Sequence, residues 1–386
     1  MFDRELIENR AMTEQACAFH PPYPEQIGDF LTGKQVRTGA QVLPDGSVTF
    51  CVYAPQVQKA VVRLTAFADV EVLLERNEDG IFTGTLPYEY RLRGPQDVEF
   101  WLDGQPYLHP QMPAHYRTFK LVNFVEIPDE ESAMILLRDV PHGQVVREVY
   151  FSRAMNSWER CLVYLPPQYR QGGAYPVLYL QHGATENENE WVYMGKMPYI
   201  LDNLLADGRA VPFIVVMNDG MQRAPGEGMV DFATFERMLL EDCMPFIEKN
   251  YRVLADKAHR AMAGLSMGSM QTSVVGLTHP ERFDYLGLFS GFMRLGEGQS
   301  VNFADWPHLA ALARDPGYIR DNYRLFFRAM GDCDRFYAAF VEDSEQLELL
   351  GSDKFPGYVA RTYVGMTHDW GAFRRGLRDF AQLIFR

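Results

Sequence analysis

The chain has 386 residues, 47% of them hydrophobic, and a formal net charge of −14 at pH 7. That length and apolar share are enough for two domains, each with its own core. The negative charge argues against nucleic acid and anionic membrane surfaces as partners, and weakly against a strongly anionic substrate.

Residues 1–34 read as a polar N-terminal arm containing Pro21-Pro22-Tyr23-Pro24. Asp3, Arg4, Glu5 and Glu8 stand where a signal peptide needs an apolar core, and no apolar run approaches the length of a membrane span. Residues 35–128 alternate apolar and polar side chains, punctuated by Pro44-Asp45-Gly46, Asp79-Gly80 and Asp103-Gly104. That rhythm predicts short strands joined by tight turns, a β-sandwich. A hinge is expected at Pro128-Asp129-Glu130-Glu131. Over residues 140–386 apolar strands alternate with helical patterns such as 235–249, which predicts a mostly parallel sheet with helices on both faces. The five cysteines, Cys17, Cys51, Cys161, Cys243 and Cys333, are widely spaced and odd in number. Free thiols in a reducing, cytoplasmic compartment explain them best, and no spacing suggests a metal site.

Within the second region, Tyr175-Pro176-Val177-Leu178-Tyr179-Leu180-Gln181 reads as a strand that runs into His182-Gly183-Ala184-Thr185. Further on, the short strand Arg260-Ala261-Met262-Ala263 leads into Gly264-Leu265-Ser266-Met267-Gly268, and a small-residue helix follows. This G-x-S-x-G in a strand–turn–helix context predicts a nucleophilic serine, Ser266, held at a tight turn near the positive end of a helix. A serine hydroxyl needs a base, commonly a histidine oriented by a carboxylate, in the chain order Ser, acid, His. Three histidines follow Ser266. His279 reads as a helix C-terminal residue and His308 lies in an irregular segment after Trp306-Pro307. His368 falls between the last predicted strand and an amphipathic C-terminal helix, where a base is expected. The acid comes from Gly331-Asp332-Cys333-Asp334, after the strand Tyr323-Arg324-Leu325-Phe326-Phe327-Arg328-Ala329-Met330; Asp334 is favoured, with Asp332 in reserve. The oxyanion donors expected are the amides of Met267 and Ala184, with His182 structural.

Residues from about 140 to 386 resemble the esterase D-like α/β-hydrolases, which include feruloyl and acetylxylan esterases of carbohydrate esterase family one, enterochelin esterases and mycolyltransferases. The resemblance rests on Val140-Pro141-His142-Gly143, Arg160-Cys161-Leu162-Val163-Tyr164-Leu165-Pro166-Pro167, the stretch 175–183 continuing to Trp191, and Pro245-Phe246-Ile247-Glu248-Lys249-Asn250-Tyr251-Arg252-Val253, together with the Ser266 motif and His368-Asp369-Trp370. It implies an α/β-hydrolase fold, puts the acid on Asp334 and puts an oxyanion amide on Ala184. Ser269 departs from the family, in which glycine is common at that place. Val48-Thr49-Phe50-Cys51-Val52-Tyr53-Ala54-Pro55 and Gly80-Ile81-Phe82-Thr83-Gly84-Thr85-Leu86 resemble the early-set, family-48 carbohydrate-binding-module type of sandwich found ahead of such esterases. The implied fold class is α/β, an α/β-hydrolase with an N-terminal immunoglobulin-like β-sandwich.

The loops 189–194 and 217–221 and Trp370 bring aromatic and methionine side chains to the region expected to overhang Ser266. They favour a feruloyl ester of a carbohydrate, with an acetyl ester next, and Trp191, Trp370 and Thr185 are the expected substrate contacts. Arg223 and Arg294 lie in loops that could border the site. The alternatives are an enterochelin-type esterase, an acyltransferase, and a carbohydrate-binding protein with a disused site. No cofactor, metal, nucleic acid or membrane is expected; the partners are a small-molecule or oligosaccharide ester and, in a homodimer, a second copy.

Overall fold

The computed structural model describes residues 39–65, 70–89, 92–117, 120–221, 231–293, 312, 315 and 317–386. The N-terminal arm (1–34), Cys17, Arg223, Arg294 and His308 lie outside the described residues. One compact unit ends at Leu137 and takes in Asp369–Gly371; the other comprises Arg138–His368 and Ala372–Arg386.

The first unit is built from nine strands: β1 (Gly39–Val42), β2 (Val48–Tyr53), β3 (Ala60–Leu64), β4 (Glu71–Arg76), β5 (Ile81–Leu86), β6 (Gly94–Leu102), β7 (Gln105–Tyr107), β8 (Ala114–Arg117) and β9 (Lys120–Ile127). They pair in the order β1-β2-β5-β4-β3-β6-β9-β8, with β7 on β6. Every pairing is antiparallel. The period-2 pattern of β2 buries Val48, Phe50 and Val52 on one side. Phe50 then meets Phe100 of β6 edge to face at 6.1 Å, across the interior of the folded-over sheet, as a sandwich requires. Asp103-Gly104 forms the two-residue turn between β6 and β7, with φ of 48° and 79°. Both residues need positive φ there, which aspartate tolerates and glycine favours.

The second unit is a sheet of eight strands: β10 (Gln144–Ser152), β11 (Ser157–Leu165), β12 (Val177–Gln181), β13 (Ile214–Asn218), β14 (Arg260–Leu265), β15 (Tyr285–Phe289), β16 (Leu325–Gly331) and β17 (Tyr358–Tyr363). Their order is β10-β11-β13-β12-β14-β15-β16-β17. β10 and β11 are antiparallel, β11 is antiparallel to β13, and the remaining pairs are parallel. This is the α/β-hydrolase arrangement. Every residue of β12 to β16 is buried, because helices cover both faces of a parallel sheet. The helix expected at 235–249 is present as Phe232–Arg237, a π-helical turn Met238–Cys243 and Met244–Asn250. It is capped by the Asp231 carboxylate, which accepts from the Ala233 and Thr234 amides. Strand order reverses at β12, with β13 on one side of it and β14 on the other, so the crevice for a ligand opens beyond the carboxyl ends of these parallel strands.

Candidate active site

Ser266 occupies the one-residue joint between β14 and the helix Met267–Thr278, with φ of 50° and ψ of −115°. That left-handed backbone is costly for a residue with a Cβ and persists because neighbours over-determine it. Its amide donates to the Phe289 carbonyl of β15 at 2.9 Å. The flanking glycines are sterically required. A Cβ on Gly264 would lie 2.4 Å from the Gly268 carbonyl group, and one on Gly268 would lie 2.5 Å from the His182 carbonyl oxygen. The first elbow glycine therefore lets the turn close on itself, and the second lets the helix sit against the end of β12.

Ser269, the departure from the family pattern, donates its hydroxyl to the Ser266 carbonyl at 2.7 Å. The space it needs comes from Gly291, where a Cβ would stand 1.6 Å from that hydroxyl oxygen.

His368 Nδ1 lies 2.7 Å from Asp334 Oδ2, and its Nε2 lies 3.0 Å from Ser266 Oγ. With Nδ1–H donating to the carboxylate, Nε2 is left as the acceptor of the serine proton. The Asp334 side chain is fully buried, and its other oxygen accepts the Phe336 amide at 2.9 Å. Asp332 does something else. Its Oδ1 accepts the Gly365 amide at 2.6 Å, while the Asp332 and Cys333 amides donate to Tyr363 and Met366 of the histidine loop. Gly331 allows this approach, since a Cβ there would meet the Met366 carbonyl oxygen at 2.1 Å.

The Met267 amide is the first of the elbow helix, one of the four that have no intrahelical acceptor. Ala184 sits in the turn after β12. Neither amide donates to a protein acceptor among the described residues. Glu186 fixes that turn by accepting the Gly183 amide at 2.8 Å. His182 is buried and structural: Nδ1 donates to the Gly183 carbonyl, and Nε2 accepts the Gly220 amide, both at 2.8 Å. Gly220 in turn accepts from Gln271 of the elbow helix at 2.7 Å. A chain of bonds thus joins the turn after β12, the loop after β13 and the elbow helix.

One expected substrate contact, Trp191, is corrected. Trp191 is 1% exposed, donates Nε1 to the Gln181 carbonyl at 2.9 Å and packs edge to face on Phe289, so it supports the floor of the sheet. Trp370 is buried at the start of the helix Trp370–Ala381. Thr185 remains half-buried, with φ of 68°, its amide donating to the Met221 sulfur.

The aromatic surface beside the site comes from residues that sequence reasoning missed. Phe336 and Phe373 stand edge-on to the His368 ring at 5.2 and 5.3 Å, and half-buried Phe292 packs on Phe336 at 4.9 Å. The available signal was Phe336 two places after Asp334. Among the described residues no group of three or more His, Cys, Asp or Glu side chains converges as metal ligands would.

Residues 152–380 match the putative esterase family. A protein of Xylanibacter ruminicola named endo-1,4-beta-xylanase/feruloyl esterase is 30% identical over 375 residues, which are 93% of this chain and 48% of that protein. The chain thus spans about half the length of that relative. Among solved structures, a ferulic acid esterase from Anaeromyces mucronatus aligns with 67% of this chain and 96% of its own at a TM-score of 0.55 and 20% identity. The enterobactin esterase of Shigella flexneri aligns with 88% and 94% at a TM-score of 0.63 and 15% identity. These two share the fold. With the match covering more than half of its length, the chain belongs to the putative esterase family.

Proposed function

We propose that the protein is a serine carboxylic-ester hydrolase acting through an acyl-enzyme on feruloyl esters of carbohydrates. The observation that carries this reading is the continuous hydrogen-bonded series Ser266 Oγ, His368 and Asp334. Ser266 Oγ attacks the ester carbonyl carbon while His368 Nε2 takes its proton, and Asp334 holds the ring and stabilises the imidazolium. The negative oxygen rests on the Met267 and Ala184 amides, each worth roughly 3–4 kcal/mol of transition-state stabilisation. His368 then gives its proton to the leaving sugar oxygen. Water attacks the acyl-enzyme with His368 as base, and Ser266 is restored.

Two observations support a feruloyl acyl group. The 30% identical Xylanibacter ruminicola protein carries feruloyl esterase in its name, and Phe292 and Phe336 offer aromatic surface next to the imidazole. Acetyl esters come next. The enterochelin-type reading keeps one supporting observation, the shared fold over 88% of this chain. The four described cysteines are free thiols, which fits the cytoplasmic location we propose. The test is kcat/KM for methyl ferulate, a 4-nitrophenyl acetate control and a catecholate trilactone, with Ser266→Ala as blank. Methyl ferulate should be the best of the natural-type esters. Preference for the trilactone would transfer the assignment to the siderophore reading.

A further inference from the structure

An arginine-lined cleft of about 350 Å³ lies outside the serine site, bounded by Arg209, Arg361, Arg378, Asp379, Gln382 and Leu383. Its residues come from three places: the turn after the helix Met197–Ala206, strand β17, and the end of the chain around the helix Trp370–Ala381. Asp379 is 6% exposed and takes three donors: Arg361 Nη1 at 3.1 Å, Arg378 Nε at 2.8 Å and the Tyr363 hydroxyl at 3.0 Å. Burial and this carboxylate push the Tyr363 hydroxyl well above its ordinary range, so it remains a neutral donor. Both oxygens of Asp379 are thereby engaged. Arg209 is held over the cleft by Nε donating to Gln382 Oε1 at 3.0 Å, and Gln382 is itself fixed by donating to the Arg378 carbonyl.

The lining brings three guanidiniums and one carboxylate together, in a chain whose net charge is −14. Arg378 has a local reason to be there, since it lies in the last turn of a helix, where a cation offsets the negative end. Arg209 and Arg361 come from a turn and a strand and have no such reason. Apart from the bonds just named, their guanidinium N–H groups have no protein acceptor among the described residues. Planar guanidinium forks around a small open cleft match the doubly charged, multi-oxygen face of a phosphoryl group better than a single carboxylate.

We propose that this cleft is a second binding site, for a phosphate-class dianion: free phosphate or the phosphate of a small monoester. Calorimetry on the whole chain would use inorganic phosphate, glycerol 3-phosphate, and glucuronate as a monocarboxylate, all at one ionic strength. Inorganic phosphate should bind with a dissociation constant on the order of 1 mM, weakened at least about tenfold in R209Q/R361Q. A control that removes two charges elsewhere, R63Q/R147Q, should bind as the parent does. R209K/R361K keeps the charge and loses the fork, so it should fall between the two. Thermal unfolding establishes that each variant is folded. Tighter binding of glycerol 3-phosphate than of phosphate would assign the site to an organic monoester, and equal binding to the ion itself. The proposal is overturned by equal affinity in R209Q/R361Q and the parent, by absence of saturable binding, or by glucuronate binding as tightly as phosphate.

Discussion

Asp332 and Asp334 sit two residues apart on one loop, yet their carboxylates reach different partners. Asp334 bonds the His368 imidazole, whereas Asp332 bonds the Gly365 amide of the loop that carries His368. Asp334→Asn should lower kcat for 4-nitrophenyl acetate by about 10³–10⁴-fold, because the amide favours the wrong imidazole tautomer. Asp332→Asn keeps an oxygen for Gly365 and should cost about tenfold or less in the same assay. The sequence left both acids open for a physical reason: what separates them is the pairing of two loops 33 residues apart, which no local pattern records. Ser269 is similar. It stood out as a departure from the family, but its compensation by Gly291 is a tertiary contact. Gly291→Ala would drive a methyl group into the Ser269 hydroxyl and should lower stability by about 2 kcal/mol or more in denaturant unfolding. The double variant Gly291→Ala, Ser269→Gly should recover much of that loss.

At the scale of elements, the elbow was legible because its glycines answer to contacts at short range: the turn closes on itself, and the helix packs on the end of the neighbouring strand. The local sequence around Trp191 points to an overhanging loop, whereas Glu190–Tyr193 is a short helix and the indole turns inward to Gln181. Trp191→Phe should therefore cost roughly 1 kcal/mol of stability through the lost hydrogen bond and leave KM for methyl ferulate unchanged; a large rise in KM at intact stability would return Trp191 to the substrate. The sandwich carries its own pH dependence. Burial pushes His109 down to about 4 from an ordinary 6.5. Asp97 is held at about 2 from 3.8: burial would raise it, but His115 and Arg117 outweigh burial. A base with a lowered folded pKa stabilises fully above its unfolded value, so the His109 contribution fades as pH falls from 6.5 to 4. The Asp97 contribution is present above 3.8 and is lost as pH falls through about 2. The His109 contribution is roughly 3 kcal/mol and the Asp97 contribution roughly 2 kcal/mol. Amide exchange protection of β6 and β9 should fall in that order on acidification; protection that stays constant from pH 7 to 4 would contradict it.

For the whole molecule, the alternation of strand and helix after residue 140 was enough to give the parallel sheet, and the turn-punctuated alternation before it was enough to give the sandwich. Chain order then placed serine, acid and histidine at the carboxyl ends of β14, β16 and β17. The aromatic wall of Phe292, Phe336 and Phe373 leaves no pattern in the sequence, because its members come from three separate segments and have no common spacing. The Arg209, Arg361 and Arg378 cleft leaves none for the same reason, inside a chain whose overall charge points the other way. The central claim is that Ser266 carries the acyl group between the two halves of an ester hydrolysis. The most direct measurement is mass spectrometry of the enzyme quenched during turnover of 4-nitrophenyl ferulate. A feruloyl adduct on the peptide containing Ser266, absent from Ser266→Ala, is the expected result; undiminished turnover in Ser266→Ala with no adduct on that peptide would contradict the account.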